Sequence, residues 1–235
     1  MTEPAISAII PVQNGARYLA ETIRSVQLQT LPPAEILVVD DGSTDGSAAI
    51  ARAFGPPVRV LTQANLGPAA ARNLGVAHAT GDHLAFLDAD DLWLPDKLVR
   101  QVQVMRDDPA CEAVLGRVAN FISPELDKSQ AARLAKTAVQ SGEFAIGALL
   151  IRRDAFLRVG WFNTRLRHGD FIDWWARAAQ LSLVCAVVPD LVLRRRLHAT
   201  NLTLREPDGR RDYLALLRQH LSRRRETATV GTEMS

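Results

Sequence analysis

Three carboxylates fall within four residues, Asp88, Asp90 and Asp91, directly after the short apolar run Leu84 to Leu87. That run has the length and composition of a buried strand. In extended chain, residues two apart point the same way, so Asp88 and Asp90 converge on one point with Asp91 close behind. Three anions so close repel and raise one another's pKa values. A divalent cation removes the conflict. Carboxylates with no Cys and no paired His nearby suit a hard, oxygen-seeking ion such as Mg²⁺ or Mn²⁺. The plainer reading is a polar turn with helix-capping aspartates, since Leu92-Trp93-Leu94-Pro95-Asp96-Lys97 reads as a helix entry with Pro95 near its first turn.

Such a cluster needs a frame, and the preceding chain supplies one. Ala5 to Pro11 and Ala34 to Val39 read as buried strands, and Val58 to Leu61 as a third. Between them, Gly15 to Gln29 carries Leu19, Ile23, Val26 and Leu28 near helical spacing and is stopped by Leu31-Pro32-Pro33. Ser43 or Thr44 is placed to cap a helix running to about Phe54, and Pro68 to Ala79 is an Ala-rich helix. Strands alternating with helices of this length predict an α/β fold with a mainly parallel, right-handed sheet covered on both faces. Ligands of such sheets lie beyond the carboxyl ends of the strands. Pro11-Val12-Gln13-Asn14, Asp40-Asp41 and Asp88-Ala89-Asp90-Asp91 all fall at such ends, so three polar loops share one rim.

Beyond Leu94 a helix is expected to about Met105 and a strand over Ala113 to Val118, with a polar, helix-permissive stretch from Ser123 to Ser141. Glu143 to Arg153 reads as a strand or buried run, Asp154 to Val159 as a short helix and Asp170 to Leu181 as a longer one. Leu183 to Val188 and Leu191 to Leu197 read as two further strands. Gly209 to Glu226 patterns as a basic helix, either packed on the domain with a solvated face or docked on an anionic membrane surface.

At 235 residues the chain can bury one substantial core. Its 47% apolar and 23% charged residues and its net charge of +2 are ordinary for a soluble domain and call for no nucleic-acid partner. Cys111 and Cys185 sit in apolar runs and read as free thiols in a reducing compartment. No apolar run reaches the length of a membrane span. Met1-Thr2-Glu3-Pro4 lacks the layout of a signal peptide, so a cytoplasmic setting is expected, at the inner face of the membrane if the basic helix docks there.

Four motifs then occur in order: Pro11-Val12-Gln13-Asn14; Asp40-Asp41-Gly42-Ser43-Thr44-Asp45; Asn65-x-Gly67-x-x-x-Ala71-Arg72-Asn73-x-Gly75; and Gly81-Asp82 with Asp88-Ala89-Asp90-Asp91. Together they resemble the signature set of family 2 glycosyltransferases, which have the GT-A fold. The match is dense from about Ile6 to Leu98 and thinner to about Thr203. The resemblance implies a nucleotide-diphospho-sugar donor, a divalent metal and transfer with inversion at the anomeric carbon. It implies a domain over 1–205, with a donor-binding half (1–98) and an acceptor-binding half (99–205), followed by a basic helix and flexible tail (206–235).

By the same resemblance, Asp90 is the foremost metal ligand with Asp91 and Asp88 beside it, and Asp88 lies near the ribose. Asp41, ahead of Asp40, is expected to accept the imino N–H of uracil, which favours a UDP-sugar. Arg72 suits a base or phosphate contact. Pro11, Asn14, Asn65, Gly67 and Ala89 complete the donor site. Gln13 is a departure, since many relatives carry an aromatic there that stacks on the base. Inversion needs one general base. The family places it in Glu-Asp-x-Asp-x-x-x-Arg, where this chain has His168-Gly169-Asp170-Phe171-Ile172-Asp173-Trp174-Trp175-Ala176-Arg177. Asp173 keeps the spacing to Arg177, but Phe171 occupies the usual base position, so Asp170 is the first choice and Asp173 the second.

Arg194-Arg195-Arg196-Leu197-His198 resembles the family's late Arg-x-His segment. Arg194 and Arg196 are expected near the diphosphate, with His198 as a further phosphate or metal ligand. Trp161, Trp174 and Trp175 read as core, with a sugar-stacking floor as the sharper option. The competing functions are a sugar-nucleotide-binding protein with impaired catalysis and a nucleotidyltransferase of similar fold. The second would want a Gly-rich basic loop after the first strand, which Pro11 to Gly15 does not provide.

Overall fold

The computed structural model describes residues 4–138, 145–166 and 168–198. Two strands form its centre, β1 (Ile6–Val12) and β2 (Glu35–Asp41), and every residue of both is buried. Continuous apolar runs of this kind suit strands covered on both faces. β1 pairs in parallel with β2 on one side and with β4 (His83–Phe86) on the other, and β2 pairs with β3 (Val58–Gln63). The connecting helices are α1 (Leu19–Gln27), α2 (Ser47–Arg52) and α3 (Pro68–His78). α3 lies hard against β1: a Cβ on Gly75 would stand 2.4 Å from the Ile9 side chain, a clash that only glycine avoids. α2 is capped differently from the sequence expectation. Gly46 occupies its N-cap, and the Asp45 carboxylate, not Ser43 or Thr44, accepts the Ser47 N–H.

The second half adds β5 (Leu92–Trp93), α4 (Lys97–Asp107), β6 (Ala113–Ile122), α5 (Lys128–Ala138), β7 (Leu150–Arg152), α6 (Arg153–Val159), α7 (Asp170–Gln180) and β8 (Cys185–Leu197). The eight strands form one sheet in the order β3-β2-β1-β4-β7-β6-β8-β5. The first half is all parallel, and in the second half β6 runs parallel to β8. β7 runs antiparallel to both β4 and β6, and β5 antiparallel to β8. Leu183 to Leu197, read as two strands, is mainly one: β8 is continuous through Pro189 and takes up the irregularity as register shifts against Gly116 and Arg117 of β6. The run from Glu143 resolves, within its described part, into a single 3-10 turn at Ile146–Ala148 followed by β7. The basic helix expected from Gly209 and the motif beyond His198 lie outside the described residues. No described helix is long and apolar enough to cross a membrane, and both cysteines are free thiols.

One buried group in this frame carries a charge question. Lys97, at the start of α4, is 1% exposed, and its Nζ donates to Gln101 Oε1 at 2.7 Å and to the Leu149 carbonyl at 3.2 Å. A neutral amine has two N–H bonds, and these two acceptors use both. The Trp93 ring, 4.4 Å away, favours the cation, but burial outweighs it and holds the pKa well below its usual 10.5. Unfolding therefore takes up a proton at this site, so stability rises with pH from the depressed folded pKa to the ordinary lysine value. The melting midpoint should climb across the alkaline range in the native sequence and climb less in Lys97→Met. Parallel slopes in the two proteins would contradict a neutral Lys97.

Candidate functional site

The carboxyl ends of the parallel strands lie level, Val12 beside Asp40 and Asp40 beside Thr62. The loops leaving them are tied to one another. The Asn14 N–H donates to Ser43 Oγ at 2.9 Å, and the Asn14 side-chain oxygen accepts the Thr44 N–H at 2.8 Å. Asn14 holds φ of 51°, a left-handed conformation that Asn tolerates better than most residues. Asp40 Oδ1 accepts the Ser43 N–H at 3.1 Å. Asp41 reaches across to the β3–α3 loop, where Oδ1 accepts from Gln63 and the Leu66 N–H and Oδ2 accepts from the Gly67 N–H. A carboxylate has about four acceptor positions, so these three bonds leave one. Gln13 and Asn65 are exposed at this rim, Gly67 and Ala89 are half-buried, and Pro11 is buried inside β1 opposite Val39.

The carboxylate loop follows β4 as a tight turn, with the Asp91 N–H donating to the Asp88 carbonyl at 3.1 Å. Thr22 of α1 fixes it from behind: its Oγ1 lies 2.9 and 3.0 Å from the carbonyls of Ala89 and Asp91. The three aspartates are not equivalent. Asp88 and Asp90 keep 42% and 29% of their side chains open to solvent. Asp91 is 4% exposed, turned inward, with Oδ1 accepting the Arg196 N–H at 2.8 Å. Burial, with the Asp90 and Asp88 charges beside it, pushes the Asp91 pKa well above the usual carboxylate range. The expectation of Asp91 as a metal ligand is corrected here: its carboxyl anchors β8 instead of facing the rim. Asp90 Oδ2 meets His198 Nε2 at 2.8 Å.

Among the described residues no group of three or more His, Cys, Asp or Glu is placed to hold a metal by itself. Asp90 and His198 nevertheless suit a hard or borderline cation whose remaining positions are filled by ligand oxygens, as is usual for Mg²⁺ and Mn²⁺ bound with phosphates.

Arg72, expected at a base or phosphate, is held between two carboxylates. Its side chain is 7% exposed, with Nη2 donating to Asp88 at 2.6 Å and Nη1 to Asp170 at 2.6 Å. Burial works against its charge, but the Asp170 and Asp88 carboxylates outweigh it and hold its pKa above the usual value. Its Nε–H is buried with no partner. Asp170, 8% exposed, opens α7 directly after Gly169, whose φ is 78°, and meets the same guanidinium as Asp88. Asp173 does not: its Oδ2 accepts from Arg177 Nε at 3.1 Å, and Arg177 in turn holds the carbonyls of Val159 and Trp161. It fastens the start of the α6–α7 connection. Trp174 is core, fully buried and stacked on Phe156 at 5.3 Å, while Trp161 is 49% exposed.

Arg196 also departs from the expectation of a diphosphate ligand. Its guanidinium is sandwiched between the rings of Tyr18 and Phe121, 4.6 Å from each, with Nε donating to the Asp90 carbonyl and Nη2 to Glu21. Tyr18 in turn donates to Glu125. Tyr18, Glu21, Thr22 and Phe121 were not singled out by sequence reasoning, because each is an ordinary helix or strand residue until the β8 arginine arrives.

A level row of parallel strand ends, with carboxylates and a guanidinium gathered beyond it and a half of mixed strand direction beside it, defines the protein as a member of the GT-A fold class. The family model described as glycosyl transferase family 2 matches residues 7–166, and the chain belongs to that family. A glycosyltransferase of Haemophilus influenzae is 32% identical over 182 residues, 73% of this chain and 70% of its own length. The chain spans only 18%, 17% and 33% of three other curated relatives. Among solved structures, S. aureus TarS 1-349 in complex with UDP superposes with a TM-score of 0.69 at 18% identity, covering 92% of this chain and 65% of that one. The mannosyltransferase PcManGT from Pyrobaculum calidifontis, in complex with GDP-Man and Mn²⁺, gives 0.69 at 24%, covering 96% and 65%. At these identities the likeness shows the fold.

The position of Arg196 generates a test. Arg196→Leu removes two ring contacts and two side-chain hydrogen bonds, and should lower stability by about 2 kcal/mol. A urea-unfolding midpoint unchanged from the native sequence would show that this arginine does not hold the loop.

Proposed function

We propose that the chain is an inverting glycosyltransferase that moves a sugar from a nucleotide-diphospho-sugar, UDP-linked by preference, to an acceptor hydroxyl, assisted by Mn²⁺ or Mg²⁺. The observation that carries this reading is the single guanidinium of Arg72 standing between Asp88 of the carboxylate loop and Asp170 of α7. It joins Asp170 to the carboxylate loop, which supports a base candidate beside the donor motif. The neighbours crystallised with UDP, UDP-GlcNAc and GDP-Man support a nucleotide-sugar donor.

Asp90 and His198 would hold the cation, and a bound cation supplies neutralisation of the two phosphates as the nucleotide departs. Asp88 borders that position and is assigned the ribose. Asp41 has one acceptor position left for the imino N–H of a uracil, which is the ground for preferring UDP. Asp170 Oδ2 is taken by Arg72, and Oδ1 would accept the proton of the acceptor hydroxyl as it attacks from the face opposite the leaving group. Asp173 is set aside because its Oδ2 is tied to Arg177, which holds the Val159 and Trp161 carbonyls and not the carboxylate loop.

Two variants test the two halves separately. Asp90→Ala should abolish the Mn²⁺-dependent part of UDP affinity in calorimetry while the melting curve shows a folded protein. Retention of that affinity would remove the cation from this position. With a donor chosen by thermal shift from UDP- and GDP-sugars in Mn²⁺, Asp170→Asn should bind normally but turn over about 10²–10⁴-fold more slowly. Near-native turnover would exclude Asp170 as the base.

A further inference from the structure

We propose that Arg72 is the positioning residue of the base: it aims the Asp170 carboxylate from the donor side of the cleft and couples it to Asp88. The inference rests on Asp170 being the base. α7 itself does little to orient that side chain, since its N-terminus carries no side-chain cap and its N-cap is a glycine. Among the described residues, the hydrogen bond the carboxylate makes is the one to Arg72 Nη1 at 2.6 Å. In the connection before α7, Gly160, Trp161 and Phe162 are held by Trp174, Arg177 and Asn73. The base therefore depends on a residue 98 positions earlier in the chain.

Arg72 is well placed for this. Its helix is locked on β1 by the close approach of Gly75 to Ile9, and its neighbour Asn73 exchanges two hydrogen bonds with the backbone of Phe162. Its guanidinium is planar and rigid, so the Asp88 and Asp170 contacts are fixed relative to each other. Among the described residues the Nε–H has no partner. Anything that shifts Asp88, a bound donor first of all, shifts the one group that orients Asp170.

The test combines stability and turnover. In urea unfolding, Asp88→Asn and Asp170→Asn should be non-additive by about tenfold in the folding equilibrium, and the coupling should vanish in an Arg72→Lys background. This measurement needs no donor. Additivity within about twofold would overturn the proposal. For turnover of the donor chosen by thermal shift, Arg72→Lys should lower kcat at least about tenfold with donor affinity within about threefold. In the Asp170→Asn background the same change should have less than about a twofold effect. If Arg72→Lys turns over normally while Asp170→Asn is inactive, the positioning role fails and the base assignment stands. If Asp170→Asn itself turns over normally, the base assignment fails first.

Discussion

A guanidinium almost closed off from water stands between two carboxylates that come from opposite halves of the chain. Asp88 ends the parallel block, Asp170 opens a helix of the mixed half, and Arg72 joins them at 2.6 Å on either side. The remaining features of the rim follow from keeping this group in place. α3 must approach β1 closely, which is why Gly75 faces Ile9. The connection at Phe162 must be stitched to the same helix, which Asn73 does with both ends of its amide.

Buried ion pairs seldom stabilise a fold, because removing both charges from water costs about as much as their attraction returns. Arg72 bears a further penalty in its unpartnered Nε–H, on the order of 1–3 kcal/mol. A core built only for stability would fill this space with apolar side chains. A polar arrangement that is costly, held rigidly and open at one edge through Asp88 is what a binding cleft requires, because its groups are oriented before any ligand arrives. The Lys97 amine is the contrasting case. It has no carboxylate partner among its hydrogen bonds, burial holds its pKa well below the usual value, and it serves the core.

The parallel block was readable from residues alone, because β1 and β2 are unbroken apolar runs and their polar exits mark the rim. The second half was less so, for identifiable reasons. β5 has two residues, too few to show a period, and was absorbed into a helix entry. Pro189 split β8 into two apparent strands, although a proline is tolerated there because β5 pairs only with Leu193 and Arg194. At the site, spacing brought out Asp88 and Asp90, and the family resemblance brought out Asp170. Spacing could not place the partner of each, since Arg72 lies 16 residues from one and 98 from the other. Arg196 shows the same limit: alternation put it on one face of a strand, but which face meets Tyr18 and Phe121 is a property of the closed sheet.

The crowding of Asp88, Asp90 and Asp91 was the sequence's strongest chemical signal, and the fold meets it with three different devices. Asp88 is neutralised by Arg72. Asp90 is set against His198, the one of the three whose partner is also a metal-ligand type. Asp91 is withdrawn into the protein, where burial favours its protonated form and the Arg196 N–H occupies an oxygen. A cation at the rim would therefore meet two accessible carboxylates, one already paired with a guanidinium. That asymmetry supports Asp90 as the ligand proposed for the cation. It also leaves Asp88 to a neutral hydrogen-bond donor such as a ribose hydroxyl, because a carboxylate already bound to an arginine has little to gain from a second cation and still has a free oxygen to accept with.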